Sequence, residues 1–407
     1  MAERDILVPK ARYTSSDFAR REWERMWKRV WLIAGWEGDV RAPGSYLTYD
    51  IGPESILVTR GDDGLLRAFH NVCLHRGNRL RHHRVGHAES FVCGYHGWDW
   101  GRDGALRVIV DPESFPRGVP PACRRLRDVR CEAWGGFVWI ALGDDAPPLA
   151  EYLGRLRDVL APYRPEAHTL IRDVTLEVAC NWKALIDNGN ETYHLHRVHP
   201  ELLDLVDDYD VGPELLGRHS RFRVRFGSPS RRCGDREAIG PSLEGILRKA
   251  GLAPEPFAGK IEQARGALVG AMQARLQRDG IDYPDLAPEQ LVDNEHVHVF
   301  PNAMFNVIVP GFWLFRARPH PTDPGRMFFD FQEYERLPAG AGSVARPEHQ
   351  SARAGEIAID SVLDQDTRIL PSVQDGMRSM GFEHLILGEQ EGRIRHMHDV
   401  LGSYCDD

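Results

Sequence analysis

The sequence predicts an α+β protein. Its short β-prone runs are segregated from its helical runs instead of alternating with them, which disfavours a doubly wound sheet. Its 407 residues correspond, at about 150 residues per domain, to two or three domains with room for a sizeable core. Neither an internal repeat nor a low-complexity tract breaks the pattern.

The elements follow in order. Residues 15–31 read as a helix, with Ser15 or Ser16 as its cap and Phe18, Trp23, Met26, Trp27 and Val30 near one face. From about 38 to 145, short β-prone runs (Ser45–Tyr49, Ser55–Thr59, Phe91–Val92, Gly136–Leu142) alternate with Gly, Asp and Pro breakers. That is the pattern of an antiparallel β domain inserted after the helix. Beyond Pro147–Pro148, Leu149–Leu160 reads as helical and Thr169–Val178 as a strand, and Trp182–His199 has helical spacing. Residues 228–295 are polar and broken by Gly and Pro. Within them Ile261, Ala264, Leu268, Met272 and Leu276 mark an amphipathic helix. Strands resume at His296–Val309 and Met327–Tyr334. A Gly/Ala/Pro-rich loop, 338–347, then leads to a helical region, 350–380, and a helical tail. The expected division is an N-terminal helical segment, 1–37, a β domain, 38–148, and a larger domain, 149–407, in which 228–295 caps a pocket.

Composition excludes several classes. Fifty-one Lys and Arg against 60 Asp and Glu give a net charge of −9, without the basic face that a nucleic-acid binder needs. Met1–Lys10 has no apolar core of a secretory signal. The longest apolar runs, Gly135–Leu142 and Val307–Phe315, are too short to span a membrane. Seven scattered Cys do not form a disulfide framework, so a reducing cytoplasm is expected. The 18 His beside so few Cys invite a search for metal sites, because neutral imidazole is the commonest metal ligand.

Two constellations answer that search. Cys73-Leu-His75 is followed after seventeen residues by Cys93-Gly-Tyr-His96. Two short Cys/His pairs on separate loops can close around one centre, a structural zinc or an iron–sulfur cluster. Each pair mixes one Cys with one His, which departs from the usual zinc finger. It fits a [2Fe–2S] centre in which two His replace two Cys on one iron. His82, His83 and His87, in the Arg-rich stretch between the loops, read as solvated. The second constellation lies in 181–200. Asp187, Glu191 and His194 stand at i, i+4 and i+7 on one helical face. His194 and His199 are about 140° apart on a regular helix, so they converge only if the helix distorts or ends between them. Pro200 is consistent with an ending there.

Cys73-Leu-His75-Arg76-Gly77 and Cys93-Gly-Tyr95-His96-Gly97-Trp98 resemble the two cluster-binding loops of Rieske oxygenases. Asn181-Trp182-Lys183, Asp187-Asn188, Tyr193-His194 and His199 resemble the mononuclear-iron motif of their large (α) subunits. The resemblance covers nearly the whole chain. It implies an inserted antiparallel Rieske domain and a helix-grip (START-like) catalytic domain with a curved antiparallel sheet. By resemblance, Cys73 and Cys93 hold one iron of the cluster and His75 and His96 the other. His194 and His199 belong to a two-His-one-carboxylate site for iron(II), and His196 falls outside the motif. The family takes its third ligand from a C-terminal helix, eight residues before a Gln. Counting back from Gln374 selects Asp366, with Asp364 as the alternative.

The resemblance also gives Glu191 a role. An acid at its place links a cluster His of one subunit to an iron His of the next. Many members have Asp there. Glu occurs in branches that include enzymes acting on quaternary ammonium compounds. Asp187 competes for part of that role, and Asn188 belongs to the same motif. Pro301–Asn306 and Phe312–Phe315 resemble strands that wall the substrate pocket. Arg316 and Arg318 are candidates for a substrate carboxylate. Gly340–Ala345 fits a dinucleotide pattern but lies in a Pro/Ala/Gly loop with no helix to open, so electrons are expected from a separate NAD(P)H reductase, with or without a ferredoxin. The implied activity is O₂-dependent hydroxylation of a small organic substrate by a head-to-tail homotrimer. The substrate is aromatic or, as the alternative, a quaternary ammonium compound that is monohydroxylated and demethylated. A Rieske electron carrier without oxygenase activity is the alternative from another class.

Overall fold

The computed structural model describes residues 7–209, 212–342 and 344–406. The start of the N-terminal segment, 1–6, and Ser343 of the Gly/Ala/Pro-rich loop lie outside the described residues. Two units emerge: Trp23–Tyr152, and a second formed by residues 1–22 together with 153–407.

The first unit is antiparallel β. Its strands are β1 (Trp31–Trp36), β2 (Ser45–Ile51), β3 (Glu54–Arg60), β4 (Leu66–His70), β5 (Val85–His87), β6 (Phe91–Val92), β7 (Asp99–Trp100), β8 (Leu106–Val108), β9 (Asp128–Trp134) and β10 (Phe137–Ala141). Seven form a sheet in the order β1-β10-β9-β4-β3-β2-β5, and β6-β7-β8 form a second. The unit starts earlier than residue 38 because helical structure ends at Trp27 and Trp31–Trp36 pairs with Phe137–Ala141. Trp31–Ala34 are all buried, and a strand buried on both faces shows no alternation to separate it from a helix. β4 and β9 escape sequence reading because Arg67, His70, Arg130 and Glu132 dilute their apolar pattern.

The second unit is built on an eight-stranded sheet. Its strands are β11 (Thr169–Val178), β12 (Glu214–Leu216), β13 (His219–Val224), β14 (Asn294–Val299), β15 (Ala303–Ile308), β16 (Gly311–Pro319), β17 (Met327–Glu335) and β18 (His349–Arg353). They curl in the order β12-β13-β14-β15-β16-β17-β11-β18, antiparallel except for the pair β11–β18. Against it pack α1 (Trp182–Gly189), α2 (Leu195–Val198), α3 (Pro241–Lys249), α4 (Ile261–Asp279), α5 (Ser361–Arg378) and α6 (Gly392–Cys405). The α+β class holds. The helical region expected at 350–380 divides: His349–Arg353 is a strand, and α5 begins only where Asp360 accepts the backbone N–H of Val362 at 2.9 Å. Among the described residues, no helix is long and apolar enough to cross a membrane.

Three polar features fasten α1. The Asn181 side chain caps it through Lys183 N–H at 3.0 Å, and Gln374 of α5 accepts Asn181 N–H at 2.7 Å. Lys183, in the first turn, forms a buried ion pair with Glu22 at 2.6 Å. Arg316 and Arg318 are also buried, and both pair with Asp330, at 3.1 and 2.7 Å. They serve the sheet and are not available to a substrate carboxylate.

Candidate metal centres

In the β unit, the loops 73–78 and 93–98 have the same construction. In each, the Cys carbonyl accepts the N–H of a Gly four residues on, at 3.0 Å for both Gly77 and Gly97. The Cys N–H donates five residues on, to Asn78 O and Trp98 O, at 2.8 Å in both. Gly77 and Gly97 sit at φ +79° and +70°, where a Cβ would be strained. That is why both loops read Cys-x-x-x-Gly. Cys73 and Cys93 are buried. The His75 and His96 rings stand 4.7 Å apart, and His75 stacks on Trp98. Burial pushes the Cys73 thiol up. Burial acts on Cys93 too, but the N–H groups of Tyr95 and His96 and the side chains of Cys73 and Asn78 outweigh it and hold that thiol below its usual value. Two thiols and two imidazoles at one place, with N–H donors aimed at sulfur, are a donor set that fits a mixed Cys/His cluster. His82, His83 and His87 are exposed.

In the catalytic unit, Trp182–His199 is not one helix. α1 stops at Gly189, and α2 starts after His194 and ends at His199 (φ −127°, ψ 54°). The break removes the obstacle of helical rotation and turns both rings to Asp366 on α5. Nε2 of His199 lies 2.9 Å and Nε2 of His194 3.6 Å from Asp366 Oδ1. Among the described residues, these three form a group whose ligand atoms all lie within 4.8 Å of one another. Both Nδ1 atoms have acceptors: Glu191 Oε1 for His194 and Gln365 Oε1 for His199, each at 2.5 Å. With Nδ1–H donated outward, each Nε2 presents its lone pair. Two imidazoles and one carboxylate fit a mononuclear iron.

The other expected residues separate. Asp364 accepts Ile359 N–H at 3.1 Å and does not join the group. His196 bonds the Tyr193 carbonyl at 2.6 Å. Asp187 no longer shares a helical face with Glu191 and His194, because α1 has ended between them. It accepts from the Tyr13 hydroxyl and lies 3.6 Å from His398 Nε2. Gln365, Tyr13 and His398 were missed. Gln365 adjoins Asp366 and was legible on that ground, whereas nothing local marks Tyr13 or His398.

A cavity of about 260 Å³ opens at the His194, His199 and Asp366 group. Asn188 lines it. From β15 and β16, Met304, Asn306, Ile308, Trp313 and Phe315 face it. Phe305, Phe312 and Leu314 do not, as the two-residue period of a strand requires. Of residues 228–295, only Asn294 reaches the cavity. Leu243 and Leu247 of α3 and Ile261, Ala264 and Leu268 of α4 join one apolar cluster with Leu205, Val206, Phe222 and Val224. Those helices therefore back the wall that Phe222 and Val224 form. Glu191 and His194 also border a second cavity of about 500 Å³, which the exposed Ile369, Val373 and Ile386 help to line.

Comparisons with known proteins agree with this architecture. Residues 30–118 match the Rieske [2Fe-2S] domain. The glycine betaine monooxygenase oxygenase subunit of Chromohalobacter salexigens is 34% identical over 206 residues, 51% of this chain and 46% of that one. The large oxygenase component of the 2,4-dinitrotoluene dioxygenase system of Burkholderia sp. is 28% identical over 288 residues, 66% of this chain and 61% of that one. The match thus spans about half to three fifths of these relatives' length. Two crystal structures share the fold. The quaternary ammonium Rieske monooxygenase CntA with L-carnitine has a TM-score of 0.72 at 19% identity, covering 100% of this chain and 97% of that one. Naphthalene 1,2-dioxygenase with indole has a TM-score of 0.73 at 20% identity, covering 99% and 92%. Residues 165–407, more than half of the chain, match the ring hydroxylating alpha subunit (catalytic domain), and the protein belongs to that family of Rieske oxygenase large subunits.

Proposed function

We propose that the chain is the oxygenase component of a cytoplasmic Rieske non-heme iron system. It uses O₂ and electrons from a separate NAD(P)H reductase, directly or through a ferredoxin, to hydroxylate a small organic substrate. The substrate is aromatic, and the reaction is cis-dihydroxylation or monohydroxylation. The observation that carries this proposal is the convergence of His194, His199 and Asp366 at an apolar cavity, in a chain that also has a Rieske domain. An electron carrier needs no such site.

Cys73, His75, Cys93 and His96 would hold the cluster, and His194, His199 and Asp366 the iron. When bound, iron(II) supplies open positions for O₂ and the cluster supplies electrons one at a time. The chain does the rest. Glu191 and Gln365 fix the two iron-ligand rings through Nδ1. The walls around Trp313 and Phe315 exclude water and hold an apolar body. Glu191 takes the His194 ring on one side and borders the second cavity on the other, which supports a role in receiving a cluster His from a neighbouring subunit of a homotrimer. A second reading, a monooxygenase for a quaternary ammonium compound, draws support from Glu191 and from the aromatic walls, which can cage a cation. Against it, among the described residues lining the cavity, there is no Lys or Arg to meet a betaine carboxylate.

Glu191→Gln keeps the size of the side chain and one acceptor oxygen, but loses the charge and the second acceptor. Turnover should fall by at least about tenfold to 100-fold, with the iron content and the cluster spectrum unchanged. Full turnover in that variant would remove the bridge assignment. The reaction class is tested by O₂ uptake with a generic reductase across aromatic and quaternary ammonium compounds. Uptake should be coupled to a product that has gained one or two oxygen atoms. Uptake with no oxygenated product would refute the proposal.

A further inference from the structure

His296 is a group that the site described above does not use. It lies on β14, is 6% exposed, and lines the cavity. Its ring stacks on Phe222, centroids 4.8 Å apart. Nδ1 faces Arg393 of α6, whose Nη1 lies 3.3 Å away. A guanidinium has donors only, so the imidazole nitrogen that meets it must accept. The ring proton therefore sits on Nε2. Among the described residues, no acceptor lies in hydrogen-bond reach of Nε2, and Nε2 is not among the sealed, unpartnered polar atoms. It opens toward the cavity beside Gly189 and Met304, where a Cβ built on Gly189 would lie 3.6 Å from it.

Arg393 is held for this orientation. It is 1% exposed, its Nε donates to Ser220 Oγ at 3.0 Å, and its guanidinium carbon lies 4.3 Å from the centre of Phe222. Among the described residues, no carboxylate forms an ion pair with it. The acid whose charge acts on it, Glu295, is already paired with Arg221 and Arg223 at 3.1 and 3.2 Å. Burial pushes Arg393 down to about 9, which leaves it a cation at neutral pH. Burial first, and the Arg393 charge second, push His296 well below the usual imidazole value, so the ring stays neutral.

A second donor stands beside it. His296 and Asn306 are cross-strand partners in the β14–β15 register, so their side chains share the cavity face. Asn306 Oδ1 accepts from Asn294 Nδ2 at 3.2 Å, which leaves the Asn306 amide nitrogen as the remaining donor. A cavity walled on this side mainly by apolar side chains such as Met304, Ile308 and Phe222 thus has two N–H groups side by side, with a buried cation behind them.

We propose that His296 and Asn306 form a subsite that reads an acceptor oxygen, and that Arg393 is the positioning residue that fixes His296 as its donor. The substrate is then an apolar, ring-sized body bearing a carbonyl or carboxylate oxygen. This inference rests on the oxygenase reading in taking the cavity for the substrate site.

The test is equilibrium binding to the purified holoprotein, without turnover. The probes are acetophenone, its isostere α-methylstyrene, in which a methylene replaces the carbonyl oxygen, and benzoate. The wild type should bind acetophenone about tenfold more tightly than α-methylstyrene. His296→Phe should bring that ratio close to one while α-methylstyrene still binds. Arg393→Met frees the ring proton to move to Nδ1 and should lower the ratio. Arg393→Lys, again a donor only, should restore it. A role confined to holding the fold would weaken both probes alike and leave the ratio unmoved. Benzoate tighter than acetophenone identifies a carboxylate as the oxygen that is read, and the reverse order identifies a neutral carbonyl. Equal affinities in the wild type, an unchanged ratio in His296→Phe, or no binding of acetophenone at millimolar concentration would overturn the subsite. If the ratios hold but no compound supports O₂ uptake, the oxygenase reading alone falls.

Discussion

Asp366→Ala should remove one iron per chain and leave the cluster's colour and its reduced-state paramagnetic signal in place. The carboxylate is the third member of a group otherwise made of two imidazoles, and its Oδ1 stands 2.9 and 3.6 Å from their Nε2 atoms. Two imidazoles alone lack the negative donor that a hard iron(II) centre needs. Loss of a supporting residue around a metal costs about tenfold to 100-fold in affinity or activity, and loss of a ligand costs more, so turnover should fall by more than about 100-fold. Asp364→Ala is the control. Asp364 accepts one backbone N–H, from Ile359, and its removal should cost about 1 kcal/mol of stability with the iron retained. If Asp366→Ala keeps its full iron content and Asp364→Ala loses it, the assignment of the ligand acid is reversed.

The largest effect on stability should come from Lys183. Its ammonium is fully buried and pairs at 2.6 Å with Glu22, which is 2% exposed. Burial pushes Glu22 up and Lys183 down, and the contact between them opposes both shifts. Trp182 also donates to Glu22, at 3.4 Å. Lys183→Met leaves a carboxylate with no counter-charge in the core and should cost about 3–5 kcal/mol in urea unfolding. Glu22→Leu, which strands the ammonium, should cost a similar amount. The double variant removes both charges. It should recover most of that loss, because exchanging a whole buried pair for apolar groups is often neutral or stabilising. Equal and additive losses in the double variant would mean that the two residues do not act as a pair.

The two side-chain groups proposed to hold iron were the most legible part of the sequence, in that their members come together as expected. Cys73, His75, Cys93 and His96 lie on two short loops whose construction depends on nearby residues, above all Gly77 and Gly97, so their spacing carries the geometry. His194 and His199 were also legible, together with the requirement that a helix end between them, and α1 does stop at Gly189. Partners distant in sequence were not legible. Tyr13 and His398 meet Asp187 only because the two ends of the chain fold against α1. Arg393 meets His296 only because α6 packs on the sheet. Burial also erased signals that alternation would have supplied. Trp31–Ala34 gave no period to separate strand from helix. In β13, His219, Ser220, Arg221 and Arg223 hid a strand in which Ser220, Arg221 and Arg223 pair with Arg393, Glu214 and Glu295. The residues 228–295 read as a cap because polar composition marks a surface. It does not say what that surface covers.

Whether one chain carries both a [2Fe–2S] cluster and a separate iron is read from iron and acid-labile sulfide, measured per chain on the purified protein. The expected result is about three irons and about two sulfides, with a Rieske-type signal on reduction. About two irons with about two sulfides would make the chain an electron carrier. A colourless protein holding zinc and no sulfide would contradict the cluster itself.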